Sequence, residues 1–152
     1  MGYPGRTISD WIHDVHTAAR ERGWWAPYGA EDMTPPRALT ADEIMSKLML
    51  VVTELAEAAE EVRKRDFDPR ATYYAAPDGG PPALLTRFEF CERTGNYPGP
   101  EVKPEGFAIE VADAVIRIFD LVGGMGIDLE AAMVEKRDHN ETRGHRHGGK
   151  RA

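Results

Sequence analysis

The chain has 152 residues, of which 41% are apolar, and this suits one compact domain over residues 1–152. Its charged residues sum to a formal net charge of −7, which argues against a nucleic-acid polymer as partner, because such binders are usually basic. The single cysteine, Cys91, excludes an internal disulfide, and the lack of a long uncharged apolar run or a secretion signal predicts a cytoplasmic protein without membrane contact.

Two helices are predicted in the first half of the chain. Helical periodicity indicates a first helix over residues 9–22, ended by Gly23. A second helix is predicted over residues 41–64, where Thr40 and Glu43 have the spacing of a capping box. Its apolar residues recur every three or four positions and form one stripe: Ile44, Leu48, Val51, Leu55, Ala58 and Val62.

The next region, residues 66–103, is rich in Pro and Gly, and we expect an irregular insertion there. Within it, residues 84–92 (LLTRFEFCE) have the composition of a short strand or a short helix. A third helix is predicted over residues 104–122, with a proline at its start and Gly123–Gly124 as its stop.

The fourth helix is predicted to begin after Asp128, its N-cap, and to run to about residue 142. Residues 144–152 follow as a basic, glycine-containing tail. The sequence therefore predicts an all-α four-helix bundle with a long Pro/Gly-rich insertion between helices two and three.

Helices two and three each carry two carboxylates three residues apart, Glu54 with Glu57 in ELAE and Glu110 with Asp113 in EVAD. Side chains with this spacing lie on one face of a helix. Because helix three is apolar on several sides, an ionised carboxylate there is costly unless it has a partner. A partner must therefore exist for Glu110 and Asp113.

Two kinds of partner are open. In the first, purely structural explanation, Arg117 or Lys47 pairs with these acids. In the second, helices two and three pack antiparallel, the four carboxylates converge, and divalent cations neutralise them. Hard oxygen ligands favour Mg²⁺, or Mn²⁺, over zinc or copper. A phosphate chain attacked by metal-activated water is then the expected chemistry.

The basic end of the chain supplies candidate substrate contacts. Lys136, Asn140 and Arg143 are spaced four and three residues apart, so they share a helical face that we expect to touch phosphate or sugar oxygens. The alternative is a cationic helix end favoured by the helix dipole. Trp25 is a candidate for stacking on a base, although packing in the core is the simpler explanation for any one aromatic residue.

Two segments, KLMLVVTELAEAAEEVR and the stretch from KPEGFAIEVADAV to the tail, resemble the MazG-like nucleotide pyrophosphohydrolases of the all-α NTP pyrophosphatase superfamily. The resemblance implies Mg²⁺-dependent cleavage of a nucleoside triphosphate to the monophosphate and pyrophosphate, in a homodimer or homotetramer. It also implies metal ligands and substrate contacts. The implied ligands are Glu54, Glu57, Glu110 and Asp113, with Glu61 one turn further on, and the implied contacts are Lys136 and Asn140, followed by Arg143 and Lys150.

The region 66–103 departs from the compact members of that family and leaves the choice of substrate open. Two other functions remain as alternatives at this point. One is a non-catalytic nucleotide- or metal-binding helical oligomer, and the other is a purely structural oligomer in which Lys47 and Arg117 neutralise the acids.

Overall fold

The computed structural model describes residues 5–28, 38–75 and 82–143. These residues form five α-helices, one 3-10 turn and a three-stranded antiparallel sheet. The elements in chain order are α1 (Ile8–Glu21), the 3-10 turn (Ala26–Tyr28), α2 (Ala41–Arg63), β1 (Thr72–Ala75), β2 (Ala83–Thr86), α3 (Arg87–Thr94), β3 (Pro104–Glu105), α4 (Phe107–Met125) and α5 (Leu129–Glu141).

The chain divides into two compact units. We call residues Ala41–Ile118 the central unit. The terminal unit combines Met1–Thr40 with Phe119–Ala152. No helix among the described residues has the length and apolar content needed to cross a lipid bilayer.

The predicted all-α four-helix bundle is wrong, because the region expected to be irregular contains β1, β2 and α3. The strands pair in the order β2-β1-β3, with Tyr73 opposite Leu85. Both side chains are buried and form a small core with Phe90 of α3. Aromatic and aliphatic side chains favour strands of this kind because they pack across the pleated surface.

The segment 84–92 proves to contain both of the structures considered for it. Its first three residues lie in β2, and the rest belong to α3. The change occurs at Thr86, whose hydroxyl accepts a hydrogen bond from the backbone N–H of Glu89 while the Glu89 carboxylate accepts one from the Thr86 backbone. This capping box starts the helix where the strand ends.

Three of the predicted helices agree with the structure to within about one residue at each end. They are the first, second and fourth, now α1, α2 and α5. Asp128 caps α5 as predicted, because its Oδ1 accepts a hydrogen bond of 2.9 Å from the backbone N–H of Ala131.

The predicted start and stop of the third helix are both wrong, because Pro104 lies in β3 and the helix begins at Phe107. α4 runs through Gly123 and Gly124 to Met125, and Gly126 follows it with a left-handed φ of 66°. The two helical glycines are needed for packing, because a Cβ at Gly124 would lie 2.0 Å from the Trp25 ring and one at Gly123 would lie 2.7 Å from Cβ of His16. Close approach of side chains, not helix termination, explains this pair of glycines.

Candidate metal centre

Three carboxylates of the central unit converge on one place. Glu54 and Glu57 come from α2 and Glu110 from α4, and one oxygen of each lies within 4.8 Å of the others. We call these residues the acidic trio. Neighbouring oxygens in the octahedral shell of Mg²⁺ are about 3.0 Å apart, since each Mg–O bond is about 2.1 Å long. The three side chains would therefore have to move closer together to share a single ion.

The surroundings of the trio disfavour negative charge. Burial raises the pKa of Glu110, and the carboxylates of Glu57, Asp113, Glu54 and Glu61 raise it further. Burial and the charge of Glu54 also raise the pKa of Asp113, while Arg117 and Lys103 oppose that shift. A divalent cation at this place would remove the repulsion that causes part of both shifts.

The same interactions bear on the direction of the two helices. After burial, Glu57 is the largest cause of the raised pKa of Glu110, whereas Glu54 is the carboxylate that acts on Asp113. Glu54 also bonds to Arg117, further along α4. These interactions agree with the expected antiparallel packing of the two helices, which stays a prediction.

One member of the trio has a cationic partner. Nε of Arg117 donates a hydrogen bond of 2.5 Å to Oε1 of Glu54, and Nη2 of Arg117 bonds to the same oxygen. Arg117 was expected beside Glu110 or Asp113 on its own helix, and it pairs across to α2 instead. Within the described residues, the carboxylates of Glu57 and Glu110 form no hydrogen bond or ion pair. The structural explanation therefore accounts for only one of the three acids.

The two other predicted ligands lie outside the trio. Asp113 is partly buried on α4 and has its pKa raised by the neighbouring Glu54 after burial. Glu61 is partly buried and has a different partner, because Nζ of Lys64 donates a hydrogen bond of 2.6 Å to its Oε1. Either residue would have to reorient to join an ion held by the trio.

Sequence reasoning missed Lys103, which lies just before β3 in the region expected to be irregular. Its ammonium group donates a hydrogen bond of 2.9 Å to Glu105. That bond raises the pKa of Lys103, and the charges of Glu105, Glu110 and Asp113 add to the effect. The sequence signal was limited to one lysine ahead of a helix rich in acids, which does not by itself indicate a site.

The predicted substrate contacts belong to the terminal unit. Lys136 and Asn140 are exposed on α5 and line the same open groove along that helix, whereas Arg143 does not line it. Arg143 lies just past α5, where its backbone N–H bonds to the carbonyl of Asn140. Contact of these residues with a ligand stays a prediction, and Lys150 lies outside the described residues.

Trp25 is 2% exposed and packs inside the terminal unit. Its Nε1 donates a hydrogen bond of 2.7 Å to Oδ1 of Asp120, and Nδ1 of His16 lies 3.0 Å from the same oxygen. The rings of Trp25 and His16 meet edge to face, with centroids 4.8 Å apart. This packing agrees with the simpler explanation of Trp25, and stacking on a base stays a prediction.

The acidic trio is the feature of this protein that indicates chemistry, and its two helices carry the motifs quoted for the family resemblance. That resemblance stays a prediction, based on those motifs alone. Comparisons of the chain with protein-family models, with curated proteins and with solved structures give no match.

Proposed function

We propose that this protein is a cytoplasmic, Mg²⁺-dependent nucleotide pyrophosphohydrolase that cleaves a nucleoside triphosphate to the monophosphate and pyrophosphate. The observation that carries the proposal is the acidic trio, in which one oxygen of each carboxylate lies within 4.8 Å of the others. Two of its members have no cationic partner among the described residues. The ELAE and EVAD motifs on the same two helices support the hydrolase assignment over simple metal binding.

The donor set suits the proposed ion. All the groups are carboxylate oxygens, which Mg²⁺ and Mn²⁺ prefer, and Mg²⁺ held by few carboxylates keeps places for water and phosphate oxygens. When bound, the ion would supply an activated water and would stabilise the oxygens of the leaving phosphate. We propose that Glu54, Glu57 and Glu110 hold it, with Asp113 and Glu61 as further ligands.

The substrate contacts are proposed on the basic end of the chain. Lys136 and Asn140 on α5 and Arg143 just past its end are exposed, so they are accessible to a phosphate or sugar. An ammonium or guanidinium group binds phosphate oxygens through charge-assisted hydrogen bonds. Lys150 is proposed as an additional contact, whereas Trp25 is buried and serves the packing of the terminal unit.

The exposed stripe of α2 supports a homo-oligomer. Val51 and Ala58 of the stripe are buried, but Leu48, Leu55 and Val62 are 42%, 52% and 50% exposed. Exposed apolar side chains that recur along one helix are typical of an interface. We propose that it packs against a second copy of the chain in a homodimer or homotetramer.

The decisive test is an assay of pyrophosphate release from a panel of nucleoside triphosphates. Release with Mg²⁺ that stops in EDTA is the expected result. Binding of nucleotide or metal without product would favour the non-catalytic binding protein, and the absence of both would favour the structural oligomer. Glu135→Gln changes an exposed acid on α5, outside the trio, and serves as the matched control for variants of the trio.

A further inference from the structure

We propose that Arg117 is a positioning residue, which fixes Glu54 so that one of its oxygens is ready to bind the divalent ion. The inference rests on the proposed metal centre and adds a residue that the motifs do not include. Arg117 lies one turn beyond Asp113 on α4, whereas Glu54 lies on α2. Their ion pair therefore joins the two helices at the site.

The two carboxylate oxygens of Glu54 have different surroundings. Nε and Nη2 of Arg117 both donate to Oε1. Oε2 takes no hydrogen bond from any described residue. An ion bound by the trio needs only one oxygen from each carboxylate. Arg117 can thus hold one oxygen of Glu54 while the other binds the ion.

Burial explains why Glu54 needs such a partner. Glu54 is 6% exposed, so its ionised form is poorly hydrated. The two contacts from the guanidinium group to one oxygen of Glu54 restrict its side chain to one rotamer before the ion arrives.

A competing effect has the opposite sign. Arg117 carries a positive charge close to the ion, so its removal could tighten metal binding by relieving repulsion. However, its side chain is 31% exposed, and water screens part of that charge. Loss of a group that orients a metal ligand typically weakens affinity by about 10- to 100-fold. The loss of position is therefore expected to outweigh the relief of repulsion.

The test is a calorimetric titration of the full-length protein with Mn²⁺ in the absence of nucleotide. Arg117→Gln should weaken Mn²⁺ binding by about 10- to 100-fold, and Arg117→Lys should fall between it and the wild type. The matched control is Arg63→Gln, which removes another arginine–glutamate pair, with Glu60, on the exposed surface of α2. Its affinity should equal that of the wild type.

A double-mutant cycle tests whether Arg117 acts through Glu54. In a Glu54→Gln background, Arg117→Gln should cause no further loss of affinity. If Arg117→Gln lowers Mn²⁺ affinity in the Glu54→Gln background as much as it does in the wild type, the positioning role is overturned. Unchanged or tighter Mn²⁺ binding by the single variant Arg117→Gln would also overturn it. In that case the proposed metal centre would still stand, because the ion is bound.

Two further outcomes also decide the inference. If Arg117→Gln does not fold by circular dichroism, Arg117→Lys decides, and an affinity equal to the wild type overturns the inference. If the wild type binds no Mn²⁺, the metal centre fails, and the inference about Arg117 fails with it.

Discussion

Arg117 neutralises Glu54 across two helices, with both of its N–H donors on a single oxygen. The three acids of the trio therefore differ in whether their charge is neutralised, because the described residues offer no such partner to Glu57 or Glu110. This inequality means that removing charge should have opposite effects on stability at different members of the trio.

The first prediction concerns the free energy of unfolding without metal. Glu110→Gln should raise it at neutral pH by about 0.5 kcal/mol, because repulsion from Glu57 and its other neighbours falls. Glu54→Gln should lower it by about 1–3 kcal/mol, because Arg117 loses a charged partner. Urea unfolding in EDTA measures both, with Glu135→Gln as control. Equal effects of the two changes would contradict the inequality.

The second prediction concerns turnover. Glu54→Gln and Asp113→Asn should each lower the rate of pyrophosphate release by at least about 100-fold while circular dichroism stays unchanged. Asp113 is included because it lies outside the trio and was predicted as a ligand. If both variants keep wild-type rates, the assignment of the metal is wrong.

The third prediction concerns pH. Burial raises the pKa of Glu110 above its ordinary value of 4.5, and the pKa of Asp113 is raised in the same way. Between the ordinary and the raised value, the folded state binds more protons than the unfolded state. The contribution of these groups to stability therefore falls as pH rises through that window.

Thermal unfolding in EDTA across this window measures the slope, and saturating Mg²⁺ should reduce it, because a bound cation lowers both pKa values. The variant carrying Glu110→Gln and Asp113→Asn together should show a smaller slope than the wild type. An identical slope would show that these two carboxylates do not titrate abnormally.

The fourth prediction concerns the basic face of α5. Lys136→Ala should raise KM and leave kcat close to the wild-type value, because a contact that is equally strong in the bound substrate and in the transition state contributes only to binding. Arg137→Ala is the control, since Arg137 is engaged with its neighbour Asp138. An unchanged KM with a lost kcat would instead indicate a role of Lys136 in the transition state.

The fifth prediction concerns assembly. Leu55→Glu places a charge in the exposed stripe of α2 and should shift the protein to the monomer in sedimentation velocity, with its helix content retained. Glu60→Gln, on the same helix, should leave the mass unchanged. A wild type that sediments as a monomer at micromolar concentration would rule out the proposed homo-oligomer.

The helices and the acidic motifs could be predicted because their signals are local. The apolar stripe of α2 repeats over about five turns, and Asp128 lies one residue before the first turn of α5. Glu54 with Glu57 and Glu110 with Asp113 follow from the spacing of side chains on a helix. Such patterns need no knowledge of which element packs against which.

The strands and the partner of Glu54 could not be predicted, because they depend on contacts between residues distant in the sequence. β1 and β2 have four residues each, too few for an alternating pattern to stand out from a loop. Arg117 lies four residues after Asp113, and the i,i+4 spacing therefore predicted a pair along α4. In the structure Arg117 pairs instead with Glu54 of α2, which is buried. The Gly123–Gly124 stop failed for a similar reason, since Trp25 and His16 pack there.

The burial of Trp25 gives the protein an intrinsic fluorescent probe. The chain has three tryptophans, of which Trp11 and Trp24 are 38% and 60% exposed and Trp25 is 2% exposed. Iodide should quench the fluorescence of the first two and spare the blue-shifted emission of the third. That residual emission follows the integrity of the terminal unit alone, without any added label.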